Sequence, residues 1–581
     1  MKAKKRWNLN SLFAGESKSK KLALEIKRSH QKVAELSTIV KKESFDLVKG
    51  IQAWQELDGT LKEIESFIVC LIAQDTSCEK AFQLKADVTS LSAAVSSLSD
   101  AIIFKLAELP ESECKKIMSG KIKDISFPIR MRIQEVKERL PLVQEDLIGS
   151  LSIDGYHSWH EVYTYLMGNM KIPYAGKEIS CAQAENLLSS SDRNTRKTAF
   201  HSWKKVLQNH EQLFARILNH LSGFRLHLYE KRGWKSVLKE PLLKNHMKAK
   251  SLEAMWETVF DNRHHFIQFF KRKAQLLQIK DLSWFDLEAP LTRDHKSYPY
   301  DQAAELICES VGKFSNKIAS FCTSCFEKSW IDAEERAKKA PGGFCVALPH
   351  AKESRIFLNY SSSFQNVLTL AHELGHAYHN QVVFNLPFLL QDYPMSLAEA
   401  ASTVQEHLVL EGMLDKAKTK SEKLFVLHDK AQRSTCFFMN IAARFLFENS
   451  LYDAREESFL SAQTISSLME RAQKEAYGNV LHEYHPYFWI SKQHFYFTAL
   501  SFYNFPYTVG YLFSLAILSR AKEQPKQFAS WYEKLLLDTG AMTLEDIAQK
   551  HFGMDLTKKT FWQNAINVAV DDVQQFLSMS R

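Results

Sequence analysis

The sequence predicts a mostly α-helical protein with a small antiparallel β-sheet beside a helix that carries two histidines and a glutamate. Three observations lead there. Glycine (19) and proline (14) are scarce for 581 residues, about half of average usage. Long stretches rich in Leu, Ala, Lys and Glu run without turn signals. A single patch, 339–363, has paired glycines and alternating apolar residues. The chain is too long for one compact core, so two or more helical subdomains are expected.

Residues 1 to about 110 read as helices. "LKADVTSLSAAVSSLSDAIIFKLAEL" (84–109) repeats apolar residues at three- and four-residue intervals and stops at Pro110. Helix continues through 127–170, with a break expected at "SIDGYHS". "PYAGKEIS" reads as a strand pair or hairpin. The stretch 189–233 reads as a capped long helix and its successor. A soft boundary falls near 190, giving an amino-terminal helical domain (1–190) and a second domain (191–581). The middle is helical apart from 279–292. "KAPGGFCVALPHAKESRIFLNYSSS" (339–363) reads as two antiparallel strands around a turn at "PHAKES". Helix resumes from 365 to the end.

The net charge of +8 is spread over many Lys and Arg, including the openings "MKAKKRW" and "KSKKLALEIKR". Solvated helix faces account for it, and no basic-aromatic nucleic-acid motif is present. "FIVCLIA" (67–73) and "GYLFSLAIL" (510–518) are too short to span a membrane, and the start lacks an apolar targeting core. Nine scattered cysteines without framework spacing point to a reducing, cytoplasmic compartment. Cys322 and Cys325 have CxxC spacing but no second pair, and read as two ordinary thiols on a helix.

The chemistry concentrates in "TLAHELGHAYHNQ" (369–381). His372 and His376 are four apart, hence on one helix face one turn apart, where two imidazoles can reach one metal. Glu373 is turned about 100° from His372. It is placed to take a proton from a water that the metal activates rather than to ligate. HExxH on a helix therefore states a mechanism. Gly375 costs helix stability but lets another backbone come close.

Catalytic zinc takes three protein ligands and keeps one position open. One pattern repeats a histidine ten residues after the first, which would fall at Val382, so that pattern fails. His379 is one turn past His376 and reads as a supporting or surface histidine. The other source is a glutamate on a following helix. "YPMSLAEAASTVQEHLVLEGML" (393–414) offers Glu399, Glu406 and Glu411. Ser396 and Glu399 also fit a capping box at the helix start. Glu399 and Glu406 are seven apart, on nearly one face. Whichever is not a ligand is placed to orient a ligand histidine.

"HELGHAYH", followed 23 residues after His376 by the glutamate of "SLAEAAST", resembles the M3 metallopeptidases, and within them the oligoendopeptidase F group. The resemblance assigns the third ligand to Glu399. "ISKQHFYFTALSFYNFPYTVGYLFS" (490–514) is similar to the family's late "HFY…FYNFPY…G" region, whose histidine and tyrosines face the zinc and hold the substrate carbonyl. The candidates are His494, Tyr503 and Tyr507, with Tyr496 and Tyr511 behind them. Read without the resemblance, this stretch is an aromatic core helix. The "GGFC" region corresponds to an edge strand that pairs with extended substrate, with Gly342 and Gly343 keeping the edge open. "WNLNSLF" (7–13) adds a weaker similarity at the start.

The resemblance implies a two-lobed helical metallopeptidase enclosing a substrate channel, with one Zn²⁺ held by His372, His376 and Glu399. Glu373 would be the general base, and a tyrosine hydroxyl or His494 would stabilise the oxyanion. The substrates would be short unstructured peptides, with no nucleic-acid or membrane partner. The alternative is a catalytically silent peptide-binding protein of the same fold. "HEYH" (482–485) has its histidines three apart and Pro486 next, and reads as a loop or helix end.

Overall fold

The computed structural model of the chain describes residues 3–291 and 297–581. Met1 and Lys2 of the basic opening, and Thr292 at the end of the expected non-helical stretch, lie outside them. Backbone contacts divide the chain into two units, each discontinuous in sequence. Unit 1 is Met1–Leu142, Lys296–Asp415 and Ile517–Phe552; unit 2 is Val143–His295, Lys416–Ala516 and Gly553–Arg581. The compact units therefore do not divide at 190.

Unit 1 opens with α1 (Lys20–Ile39), α2 (Leu47–Gln74) and α3 (Glu79–Glu108). Asp46 caps α2 by accepting from Lys49 N–H, and Ser19 caps α1. Helix α2 buries Ile51, Trp54, Leu57, Leu61, Ile64, Phe67, Ile68 and Leu71, each worth about 1.5–3 kcal/mol on burial. Among the described residues, α3 alone is long and apolar enough to cross a membrane by length and composition. Its stripe of Leu84, Val88, Leu91, Val95, Leu98 and Ile102 belongs to the core of this unit, as its three- and four-residue spacing requires.

In unit 2, β1 (Lys171–Tyr174) and β2 (Lys177–Ser180) form the expected hairpin. It precedes α4 (Arg193–Lys231), capped by Asp192 and unbroken for 39 residues. The stretch expected to hold two helices is thus one. "SIDGYHS" does not leave the helix either. It forms a π-helical turn, Ile153–His157, between two helices. The "HEYH" stretch is non-helical, with Glu483 paired to His201 and Lys204.

Unit 1 resumes with the sheet. Strands β4 (Gly343–Leu348) and β5 (Glu353–Leu358) pair antiparallel, as the alternation predicted. A third strand missed in the sequence, β3 (Ile331–Asp332), pairs parallel to β5. Two residues are too few to show a period. The order β3-β5-β4 leaves β4 at the edge. The approach to β4 is fixed by a buried ionic cluster. Arg336 holds both oxygens of Asp332 at 2.7 Å, and the Lys339 ammonium reaches Asp332 at 3.0 Å and the Leu358 carbonyl at 2.7 Å. At the far tip, Glu63 of α2 accepts from the His350 N–H at 3.0 Å.

Next come α5 (Phe364–Val383) and α6 (Met395–Lys416). Ser363 caps α5 by accepting from Asn366 N–H, and Asn366 accepts in turn from Ser361 N–H. Asn380 donates to Ser354 of β5 and accepts from Tyr393 ahead of α6. The capping box expected at Ser396–Glu399 does not form. Helix α6 starts one residue earlier, so Ser396 lies inside it, its hydroxyl buried without a partner among the described residues. The chain continues through α7 (Phe505–Glu523) and α8 (Pro525–Asp538). In α8, Glu533 accepts from the Tyr378 hydroxyl of α5 at 2.7 Å.

Gly375 sets the distance between α5 and α6. A Cβ there would lie 2.7 Å from the Ser402 Cα, 2.8 Å from the Ala401 carbonyl oxygen and 3.0 Å from the Gln405 Cβ. Gly375→Ala is therefore expected to force the helices apart, at about 1–3 kcal/mol. Denaturant unfolding and the metal content of the purified variant read this. Unchanged stability would show that the helices have room to give.

Candidate active site

The four-residue repeat on α5 brings His372 and His376 to one face, ring centroids 4.8 Å apart and nearly perpendicular at 84°. Because α6 lies against Gly375, Glu399 enters the same space. Donor atoms of His372, His376 and Glu399 all fall within 4.8 Å of one another. The His372 Nε2 stands 3.5 Å from Glu399 Oε2. Ser402 steadies that carboxylate, donating to its Oε2 at 3.3 Å. Glu406, two turns along α6, accepts from the other nitrogen of His372: Nδ1 to Oε1 is 2.6 Å. That bond fixes the ring's orientation and turns the Nε2 edge toward Glu399. Glu411 is engaged elsewhere, 2.8 Å from the Lys522 ammonium.

The electrostatics are those of a crowded, buried anionic site. Burial opposes charge on His372, but the hydrogen bond and charge of Glu406 outweigh it, and with Glu399 and Glu373 hold the imidazolium up at about 9. Burial pushes Glu373 up to about 7, against the pull of His372. Burial also raises Glu399 and drives His376 well below the usual imidazole range. Two imidazole nitrogens and a carboxylate oxygen converge from two rigid helices. This donor set suits a borderline cation such as Zn²⁺ and leaves a fourth position open.

His379 stands outside this cluster. It is fully buried rather than at the surface, stacked on Tyr393 at 3.8 Å with Nε2 2.9 Å from the Thr539 hydroxyl. Cys322 and Cys325 are buried free thiols on one helix, Asn316–Glu327, as expected.

The segment 490–514, in unit 2, is not one aromatic helix. A short helix ends at Ser491, a 3₁₀ turn covers Gln493–Tyr496, and a loop runs to α7 at Phe505. His494, Tyr503 and Tyr507 gather around this loop. The His494 and Tyr503 rings stack at 5.1 Å, and Tyr507 lies 6.1 Å from Tyr503. Burial, with Arg444 adding to it, lowers His494 to about 4, so the ring is neutral at pH 7. Tyr496 and Tyr511 are core residues, the first stacked on Tyr163 and the second bonded to the Ser434 hydroxyl.

Four residues of this arrangement went unnoticed in the sequence. Asn504 Oδ1 lies 2.9 Å from His494 Nδ1 and accepts from Arg444 at 2.9 Å. Arg225 donates to the Phe497 carbonyl. Glu448 accepts from the Phe502 N–H at 2.8 Å, and Phe502 has a left-handed φ of 51°. Asn504 sits inside "FYNFPY" and was within reach of inspection. Arg225, Arg444 and Glu448 lie on distant helices and carry no local signal.

The sequence pattern of peptidase family M3 matches residues 186–568. An oligoendopeptidase F homolog of Borreliella burgdorferi is 25% identical, over 97% of this chain and 96% of its own. The group B oligopeptidase PepB of Streptococcus agalactiae is 22% identical, over 97% and 95%. The crystal structure of oligoendopeptidase-F from Enterococcus faecium has the same fold, with a TM-score of 0.68 at 17% identity over 96% of this chain and 97% of that one. The family match takes in more than half of the chain and both helices of the histidine–glutamate cluster, so this chain belongs to peptidase family M3 and is a metalloendopeptidase.

Proposed function

We propose that the enzyme is a zinc-dependent oligoendopeptidase that hydrolyses short unstructured peptides. The observation that carries this reading is the convergence of His372, His376 and Glu399 within 4.8 Å, with Glu406 oriented on His372. These three residues would hold the metal. A bound zinc supplies Lewis acidity, which activates water and polarises a peptide carbonyl. Glu373, buried beside the cluster with its affinity for protons raised to about 7, takes the water's proton and passes it to the departing amine. The hydroxyl of Tyr503 or Tyr507, or the neutral His494, is the proposed donor to the developing oxyanion.

Substrate binding is assigned to the edge of β4. No other strand pairs with its outer side among the described residues. An extended peptide can add there through main-chain hydrogen bonds. Segments of folded proteins already have their backbone groups paired, which favours short unstructured peptides. Residues 191–581 are proposed as the catalytic domain and 1–190 as its amino-terminal companion. All nine cysteines are free, which supports a reducing, cytoplasmic setting.

Two measurements test this reading. Glu373→Gln is expected to bind one zinc like the wild type and to lose about 10²–10⁴-fold in turnover of a quenched fluorescent peptide. Wild-type turnover should vanish with chelator and return with zinc. Zinc bound by the wild type without cleavage would point to a silent peptide-binding protein instead. Separately, Glu406→Ala is expected to weaken zinc binding about 10–100-fold, while Glu411→Ala leaves it unchanged. Equal effects of the two, read by competition with a chromogenic chelator, would remove Glu406 from the site.

A further inference from the structure

A cavity of about 460 Å³ opens beside β4 in unit 1. Its walls come from α2 (Ile68, Val69, Ile72) and α3 (Val88, Thr89), and its floor from Ala340 and Val346. Val346 is the one residue of the sheet in its lining, so it borders the edge strand rather than β3 or β5. The segment leading to β4 is tied to the end of α2: Ala340 N–H donates to the Ala73 carbonyl at 2.9 Å, and Thr76 N–H to the Lys338 carbonyl at 2.8 Å. The cavity is therefore built into the same frame that holds the strand.

The faces of β4 are distinct. Phe344 and Val346 pack toward the α2 core, with Phe344 stacked on Phe357. Gly343 and Cys345 face α5: a Cβ on Gly343 would meet Thr369 at 3.4 Å, and Asn380 approaches the Cys345 sulfur at 3.8 Å. A strand added to the outer edge shares this alternation, since opposed residues on paired strands point to the same face. Side chains of such a peptide that face α5 look toward the HExxH helix. The residue opposite Val346 looks into the cavity.

We propose that this cavity is a specificity pocket for a large apolar side chain of the peptide, at the position that pairs opposite Val346. The inference rests on the reading of β4 as the peptide-binding edge and adds a substrate preference to it. The walls are aliphatic, and the charges of Lys62, Glu65 and Lys85 line it as well, so a Phe, Leu or Met side chain would be held by its apolar body. Selection falls on one register, because adjacent residues point to the other face and those two positions away lie opposite Phe344 and Leu348, which do not line the cavity.

The test separates binding from cleavage. In the zinc-loaded Glu373→Gln enzyme, affinity is measured for peptides of about eight residues, long enough for strand pairing, in which one Phe is moved through a Ser-rich frame. One position should bind about tenfold tighter with Phe than with Ser. Val69→Glu and Thr89→Tyr should each abolish that preference, with the circular dichroism and zinc content of both variants as in the parent enzyme. Val69 is 43% exposed and Thr89 is also exposed, so neither change disturbs the core. A Phe preference that survives in both variants, or no preference at any position, overturns the pocket. Turnover of the tightest peptide by wild type is read apart. Pocket-dependent binding without cleavage would sink the peptidase reading and leave the pocket standing.

Discussion

The close approach of two helices governs this molecule. With a hydrogen in place of a side chain at residue 375, α5 can lie against the Ala401–Ser402 backbone of α6. Everything at the cluster follows from that separation. His372 and His376 are fixed to each other by helical spacing alone, but Glu399 and Glu406 reach them only because α6 is so near. The two glutamates are seven residues apart, and the 2.6 Å and 3.5 Å contacts at opposite nitrogens of His372 come from the same face of one helix. The sheet and α8 hold α5 from its other sides, through Asn380 to Ser354 and Tyr378 to Glu533.

The charges gathered there exceed what the protein neutralises by itself. Glu373, Glu399 and Glu406 surround one imidazole that is pushed toward its charged form and another that burial pushes away from it. Isolated buried carboxylates are costly, and the raised proton affinities of Glu373 and Glu399 express that cost. A divalent cation among His372, His376 and Glu399 would relieve it, which is a physical reason for such a cluster to be retained despite its expense. The division between Glu399 and Glu406 also follows. Only Glu399 shares the Nε2 side of His372, whereas Glu406 meets the nitrogen that a bound metal would leave protonated.

Local signals were legible in the sequence and distant ones were not. The helical content, the β1–β2 hairpin, the β4–β5 pair and the helix carrying HExxH follow from periodicity and turn residues, which act over a few positions. Between Glu399 and Glu406, spacing alone left the ligand open, because both lie on one face; tertiary placement of α6 sets them at opposite nitrogens of His372. The capping box at Ser396 failed for a related reason. Its residues fit the pattern, but Pro394 already accepts the first helical N–H groups, so the helix begins before the serine. The interleaved units were invisible because each is assembled from segments hundreds of residues apart. The 490–514 stretch misled in the opposite sense: its aromatic density suggested a core helix, but a loop there has buried polar partners that no local pattern encodes.

That loop shows how side chains can be held in place without regular structure. Phe502 adopts a left-handed conformation, which costs a residue other than glycine about 1–2 kcal/mol. Its ring is buried against Phe445 and Tyr452, a gain of about 1.5–3 kcal/mol, and its N–H is bound by Glu448, worth about 1 kcal/mol more. The gains exceed the strain, so the backbone holds a shape that its own preferences oppose. The consequence falls on the next two residues. Tyr503 stacks on His494 and Asn504 meets the His494 ring nitrogen, so the orientation of all three depends on a backbone angle at Phe502 that a buried carboxylate from another helix maintains. On α5 and α6 the helical repeat supplies the geometry, and on this loop hydrogen bonds from the buried Arg225 and to the buried Glu448 supply it.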